Sequence, residues 1–185
     1  MPEDKKLIRQ LKKGRTEAMK QIYEKYKRLL LKTAIILMND THLAEDIVQD
    51  VFMNFALRAE QLKTTGSLKN YLITAVINNV RNRIRDANKL PVTALDDADS
   101  LTAESKSSEQ WAILNEELEL LKNAMSQIPY EQREVITLYM EGQMTFRQIA
   151  ELEETSVNTV QGRFRYGIEK LRKLLKSEVE NEKRR

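Results

Sequence analysis

The stretch TFRQIAELEETSVNTVQGRFRYGIEKLRKLL, Thr145 to Leu175, decides the fold. Thr145 is a helix-capping residue ahead of a short apolar-periodic run, TFRQIAELEE, and Thr155 or Ser156 caps a second, longer run. A short helix, a tight turn and a longer basic helix make the helix-turn-helix pattern. On the longer helix Val157, Val160, Phe164, Ile168, Leu171 and Leu175 form one apolar stripe, which packs on Ile149, Leu152 and the preceding helix. At about 100° per residue, the opposite face carries Asn158, Thr159, Gly162, Arg165 and Tyr166, with Ser156 at its start and Arg163 on its flank. Those side chains suit base edges and phosphates of a major groove, and Gly162 leaves room for close approach. An ordinary helical hairpin with a basic outer face shares the pattern, and the motif alone supports DNA binding rather than a particular role.

Working back toward the N-terminus, a helix is expected from Glu109 to about Ser126 and another from Tyr130 to Glu141, with Pro129 opening it and Gly142 ending it. Before these, NKLPVTALDDADSLTAESKSSE has no periodicity, contains Pro91 and is acidic. It reads as a flexible linker. A structureless stretch of that length is unexpected inside one compact domain. The chain therefore divides into residues 1–88, an acidic linker at 89–108, and residues 109–185.

The first part is also helical. Met19, Ile22, Tyr23, Tyr26, Leu29 and Leu30 recur at helical spacing up to about Met38, and Asp40 or Thr41 caps a helix running to Arg58. After Thr64, Thr65 and Gly66, Ser67 caps a third helix from Leu68 to Asp86. In AEDIVQDVFMNFALR the stripe Ile47, Val48, Val51, Phe52 and Phe55 is core. The other face, Asp46, Gln49, Asp50, Met53 and Leu57, is poor for DNA and suits a protein partner, although a solvated face is the simpler reading. The next helix presents Lys69, Asn70, Asn78, Asn79, Asn82, Arg81, Arg83 and Arg85, a set suited to phosphates and bases. Tyr71 offers a stacking surface for an unpaired base. The expected architecture is all-α: two small helical domains joined by a flexible acidic linker, the C-terminal one containing the helix-turn-helix.

Composition agrees. The 185 residues hold only 5 Gly and 3 Pro, too few for a β-rich fold. The net charge of +3 says little, but its distribution places basic stretches on either side of the acidic one, a footprint of polyanion binding. Without cysteine there is no disulfide, thiolate metal site or cysteine nucleophile. The segment MPEDKKLIRQLKKG lacks the apolar core of a signal peptide, and the longest apolar run, near Ala34–Met38, is far short of a membrane span. The chain is expected to be soluble and cytoplasmic. No catalytic triad, phosphate-cradling glycine loop or metal-ligand spacing occurs, His42 reads as a turn residue, and Glu116, Glu117 and Glu119 read as a solvated helix face. Neither enzymatic activity nor any metal or cofactor is expected.

Together these features resemble the small sigma factors of the extracytoplasmic-function class, within the sigma-seventy family. The resemblance runs from about Thr16 to Leu175. AEDIVQDVF and YLITAVINNVRNRIRD look like the region-two domain; IPYEQREVITLYMEGQMTFRQIAE and SVNTVQGRFRYGIEKLRKLL look like region four. It implies that Asp46, Gln49 and Asp50 bind the clamp helices of the largest subunit of core RNA polymerase, with Met53 beside them, and that the second-largest subunit is a further partner. It implies that Thr64–Lys69 and the following helix melt and read the minus-ten element, that the recognition helix reads the minus-thirty-five element, and that the linker passes near the polymerase cleft. An anti-sigma protein is a further implied partner. Departures from the family pattern are Ala56 and Tyr71 where tryptophan is expected, Glu154 where the helix-turn-helix turn usually has glycine, and Gln161–Gly162 in place of Lys-Ser. A left-handed Glu154 would cost about 1 kcal/mol. The main rival is a stand-alone helix-turn-helix regulator, which leaves AEDIVQDVF unexplained; a sigma-like protein turned to another regulatory use is a third reading.

Overall fold

The computed structural model describes residues 2–62, 66–87 and 115–182. Among them every regular element is helical: α1 (Pro2–Lys12), α2 (Thr16–Met38), α3 (Thr41–Leu57), a single 3-10 turn (Ala59–Gln61), α4 (Leu68–Ala87), α5 (Asn115–Ser126), α6 (Tyr130–Met140), α7 (Phe146–Leu152) and α8 (Val157–Glu182). The expected linker, most of the helix start near Glu109, and Thr64 and Thr65 lie outside the described residues.

Helical spacing of apolar residues builds the first half. Ile22, Tyr26, Leu30, Ala34 and Leu37 face inward from α2, against Ile47, Val51 and Phe55 of α3 and Leu72, Val76 and Val80 of α4, all buried. Local chemistry sets the turns. α2 ends at Asn39, whose left-handed backbone (φ 57°) is one that asparagine tolerates, and its N–H donates to the Ile35 carbonyl. Asp40 then accepts from the Leu43 amide at 2.9 Å, which starts α3. Ser67 accepts from the Asn70 amide at 3.3 Å, which starts α4.

α1 was not among the expected helices. Its Leu7 and Ile8 join the core, and its Asp4, 5% exposed, accepts from the Tyr26 hydroxyl at 2.9 Å and from Lys25 Nζ at 2.9 Å. Burial first, then the hydrogen bond to Asp4, pushes the Tyr26 hydroxyl up to about 12. Bonds to Asp4 and Glu3 raise Lys25. These contacts hold α1 against α2.

In the second half Val135 and Leu138 of α6 meet Ile149 of α7 and Val160 of α8, all buried. Phe146, Phe164 and Tyr139 close the space between the three helices, with ring centroids 4.6–5.3 Å apart. Gly167 lets α8 approach α6: a Cβ there would lie 2.8 Å from Ile136 Cδ1 and 3.1 Å from Gln132 Cβ.

The described parts of the two halves pack on each other through α2. Ile36 is buried among Met125, Ile128 and Ile136 of the second half. Lys32 Nζ reaches Glu141 Oε1 at 2.7 Å. Arg81, on α4, donates through Nε (3.1 Å) and Nη2 to the carboxylate of Glu134 on α6, which is only 3% exposed. Burial is the largest influence on Arg81 and works against its charge, but the bond to Glu134 together with the electrostatic effects of Glu134, Tyr130 and Glu153 raises it on balance.

Candidate nucleic-acid interface

The helix-turn-helix starts with a reciprocal cap. Thr145 Oγ1 accepts from the Gln148 amide (3.3 Å) while Gln148 Oε1 accepts from the Thr145 amide (2.9 Å). α7 ends at Glu153, and Glu154 takes the left-handed conformation, φ 51°, that the turn needs and that glycine would supply without strain. Ser156 then opens α8. Its hydroxyl accepts from the Thr159 amide at 3.0 Å and lies 2.8 Å from Thr159 Oγ1. Two residues expected to read DNA thus begin by holding the helix start.

Arg163 is similarly committed. Its Nη1 donates to Glu153 Oε2 at 2.6 Å, and the Glu153 side chain is 4% exposed. Burial is the main influence on the Glu153 carboxyl and raises it, the Glu134 charge adds to this, and Arg163 pulls the other way. Arg163 therefore ties α8 to the end of α7. Asn158, Thr159 and Arg165 are exposed, and Tyr166 is 57% exposed. The Arg165 guanidinium lies 4.9 Å from the Tyr166 ring centroid, which pre-orders two groove-facing side chains together. No protein atom lies within 4 Å of where a Gly162 Cβ would stand.

On α3, Asp46 and Gln49 are exposed, Met53 is 56% exposed and Leu57 80%. Gln49 and Met53 also border an apolar groove toward α2 that includes Met19, Tyr23 and Phe52. Asp50 stands apart from them: its Oδ2 is 3.4 Å from Arg83 of α4, with both side chains part-exposed. The arrangement offers acids beside apolar contacts, a surface suited to a protein partner.

Between α3 and α4 runs a second groove. Asn70, Asn78 and Asn82 line it, as the sequence led one to expect for α4, joined by Asn79, Tyr71 and Thr74. Asn54 and Arg58, at the end of α3, complete it. Sequence reasoning missed these two because their helix was assigned to protein contact; their signal was Arg58 standing one turn after Asn54. The groove offers five carboxamides and one guanidinium, which can donate to phosphates and pair with base edges. Tyr71 packs against Phe55 (centroids 6.0 Å) yet stays 42% exposed. It also lines a smaller cleft with Ile8, Arg58, Gln61 and Ser67. Lys69 is half-buried, and Arg85 is exposed, 3.7 Å from Asp86. Arg81 is the member of the basic set that the fold turns away, toward Glu134. Among the described residues no group of three His, Asp or Glu gathers as a metal would require, and no helix is long and apolar enough to cross a membrane.

Comparison with known proteins places both halves. Residues 22–90 match the family model Sigma-70 region 2, and residues 118–171 match Sigma-70, region 4. The chain is 26% identical over 180 residues to the ECF RNA polymerase sigma factor SigW of Bacillus subtilis, covering 93% of this chain and 96% of that one. It is 23% identical over 170 residues to the RNA polymerase sigma-H factor of Pseudomonas aeruginosa, covering 87% and 88%. Among solved structures it resembles CnrH in complex with the cytosolic domain of CnrY (TM-score 0.64, 22% identity, 94% and 97% covered). It also resembles the sigma factor RpoE in complex with the anti-sigma factor NepR from Bartonella quintana (TM-score 0.61, 21% identity, 85% and 96% covered). Two ordered family matches, one on each half and each containing one of the interfaces just described, lead to one conclusion: the chain belongs to the sigma-70 family, as an extracytoplasmic-function sigma factor that binds core RNA polymerase and directs initiation at promoters.

Proposed function

We propose that the labour is divided as the exposed faces divide it. Asp46, Gln49 and Met53 on α3 dock on the polymerase largest subunit, with Asp50 joining once it leaves Arg83. The asparagine groove between α3 and α4, with Lys69, Arg83 and Arg85, takes the minus-ten strand, and an unstacked base lies against Tyr71. Asn158, Thr159, Gly162, Arg165 and Tyr166 read the minus-thirty-five duplex, while Ser156 and Arg163 hold the reading helix in place. Residues 1–88 and 109–185 act as separate domains once bound, tethered by the acidic segment 89–108. The chain works in the cytoplasm, where the polymerase is, and the polymerase supplies all the chemistry.

The observation that carries this is the contrast on α3. Exposed acids and large apolar side chains, Met53 and Leu57, occupy the face beside a polar groove lined by asparagines and one arginine, with no acid. DNA repels the first and accepts the second. The test is core-polymerase affinity of Asp46→Lys with Asp50→Lys, beside promoter opening by Asn78→Ala with Asn82→Ala. The first pair should lose core binding, and the second should keep it while losing opening. Normal core binding by the lysine variant would refute the assignment. Specific duplex binding by the free chain, with no affinity for core, would favour the stand-alone regulator. One structural relative is in complex with an anti-sigma factor, NepR, and another with the cytosolic domain of CnrY, and an anti-sigma partner is proposed here too; co-purification from its own cells tests it.

A further inference from the structure

α1 lies ahead of the segment matched as region 2 and, Ile8 in the smaller cleft apart, has no role in the interfaces above. With about 100° per residue and Ile8 as origin, Asp4, Leu11 and Leu7 fall about 40°, 60° and 100° to one side, the docked side. Lys12, Lys5 and Arg9 fall about 40°, 60° and 100° to the other. All three cations are exposed, as are Lys6 and Lys13 farther round. None of the five has an ion-pair partner among the described residues, whereas the helix's two acids are both taken by Lys25. Ile8, on the boundary, lines the cleft of Arg58, Gln61, Ser67 and Tyr71. The basic arc of α1 therefore begins at the lip of a cleft lined by Tyr71, the ring proposed to hold an unstacked base.

We infer that this arc is a phosphate track: single-stranded DNA leaving the cleft runs along α1, its backbone on Lys12, Lys5 and Arg9. The occupant follows from two features together. An arc of cations without acids selects a polyanion, and continuity with a cleft holding an exposed aromatic ring selects a strand whose bases are unpaired. The Asp4–Tyr26–Lys25 contacts keep the helix in place, so the track is built before DNA arrives. The inference rests on the promoter-opening reading above.

The experiment uses the full chain with the variant Lys5→Gln, Arg9→Gln, Lys12→Gln, and a conservative variant, Lys5→Arg with Lys12→Arg. The probe is a fluorescein-labelled single-stranded thymidine 20-mer, titrated at several salt concentrations, with a 20-bp duplex as second arm. Each single-strand phosphate contact contributes about −0.7 to the slope of log K against log salt, so losing three should make the slope shallower by about 2. The arginine variant should keep the wild-type slope, and the duplex slope should change by less than half as much. An unchanged single-strand slope overturns the track. An equal change on duplex overturns it as well, reducing α1 to diffuse charge. A glutamine variant that folds by circular dichroism but loses core polymerase would also overturn it, in favour of a polymerase contact. Core binding by the wild-type chain is measured alongside: its absence, with single-strand binding intact, indicts the sigma assignment and not the track.

Discussion

Arg81→Ala should open the molecule. Arg81 donates twice to Glu134, and Glu134 is 3% exposed, so deleting the arginine strands a carboxylate that water does not reach. Breaking a buried pair from one side costs about 3–5 kcal/mol. The two halves can avoid that cost by parting, which hydrates Glu134. What opposes the separation is mainly apolar contact through α2, where the buried residues of the two halves run into one core cluster. Lys32–Glu141 is a pair with both side chains part-exposed, worth about 0–1 kcal/mol. Ile36 in its socket adds about 1.5–3 kcal/mol. The reverse change, Glu134→Gln, is milder: the Arg81 side chain is 34% exposed and can turn its charge to water. The chain has no cysteine, so Lys20→Cys with Lys170→Cys gives clean dye labelling for energy transfer between the halves. Small-angle scattering supplies the second readout, since a compact chain of this length has a radius of gyration of about 16 Å. Arg81→Ala should lower transfer and raise the radius well above that figure, with Glu134→Gln in between. An Arg81→Ala protein with wild-type transfer and radius would refute the idea that this pair holds the halves together.

Glu154→Gly should raise stability by about 1 kcal/mol, or about 2–4 °C in Tm, because it removes a left-handed non-glycine residue from the turn; a fall in Tm would show that the Glu154 side chain contributes more than its strain costs. Gly167→Ala should destabilise by about 1–3 kcal/mol in urea titration, since the new methyl meets Ile136 and Gln132, and an unchanged midpoint would mean that α6 and α8 can slide apart freely. Gly162→Ala, with open space around it, should stabilise α8 by up to about 1 kcal/mol yet weaken duplex reading, so improved folding with unchanged promoter binding would remove Gly162 from the DNA face. Glu153 is raised by burial, so its folded pKa exceeds the unfolded one: relative to a neutral residue its contribution is most favourable below the unfolded pKa and is lost as pH rises through the folded one. Glu153→Gln should accordingly gain on wild type at neutral pH, with the gain fading as acid protonates Glu153; a gain that grew toward low pH would contradict the sign.

Most of the fold was legible because it rests on local rules. Helical spacing located α2, α3, α4, α6, α7 and α8 to within a few residues, and Asp40, Ser67, Thr145 and Ser156 act as the caps their chemistry suggested. α1 escaped because three apolar residues among the five cations of Lys5 to Lys13 look like a solvated tail; what fixes it is Asp4 on Tyr26, a contact 22 residues apart that no periodicity reveals. The site was legible as faces but not as pairs. Arg81, Arg83 and Arg163 were all read as DNA contacts from their place on a helix. Their partners Glu134, Asp50 and Glu153 lie 53, 33 and 10 positions away, and long-range pairing is what a single sequence does not display.

Those partners bear on how one chain reads two promoter elements. Their names put the elements about 25 base pairs apart, and at 3.4 Å per step that is about 85 Å of duplex. A compact chain with a radius of gyration of about 16 Å is only about 40 Å across. With Ile36 seated and Arg81 on Glu134, the recognition helix and the asparagine groove cannot lie over both elements of straight DNA. The 27 residues between Ala87 and Asn115 can span up to about 90 Å, enough to let them part. Parting returns Arg81 to the open face of α4, beside Asn78 and Asn82, where the helical pattern alone would place it. We propose that in the opened chain Arg81 joins Arg83 and Arg85, so that Glu134 and the phosphates of the promoter compete for one guanidinium. On that proposal, whatever favours DNA on that face also favours the opened chain, and whatever tightens the Arg81–Glu134 pair weakens promoter binding.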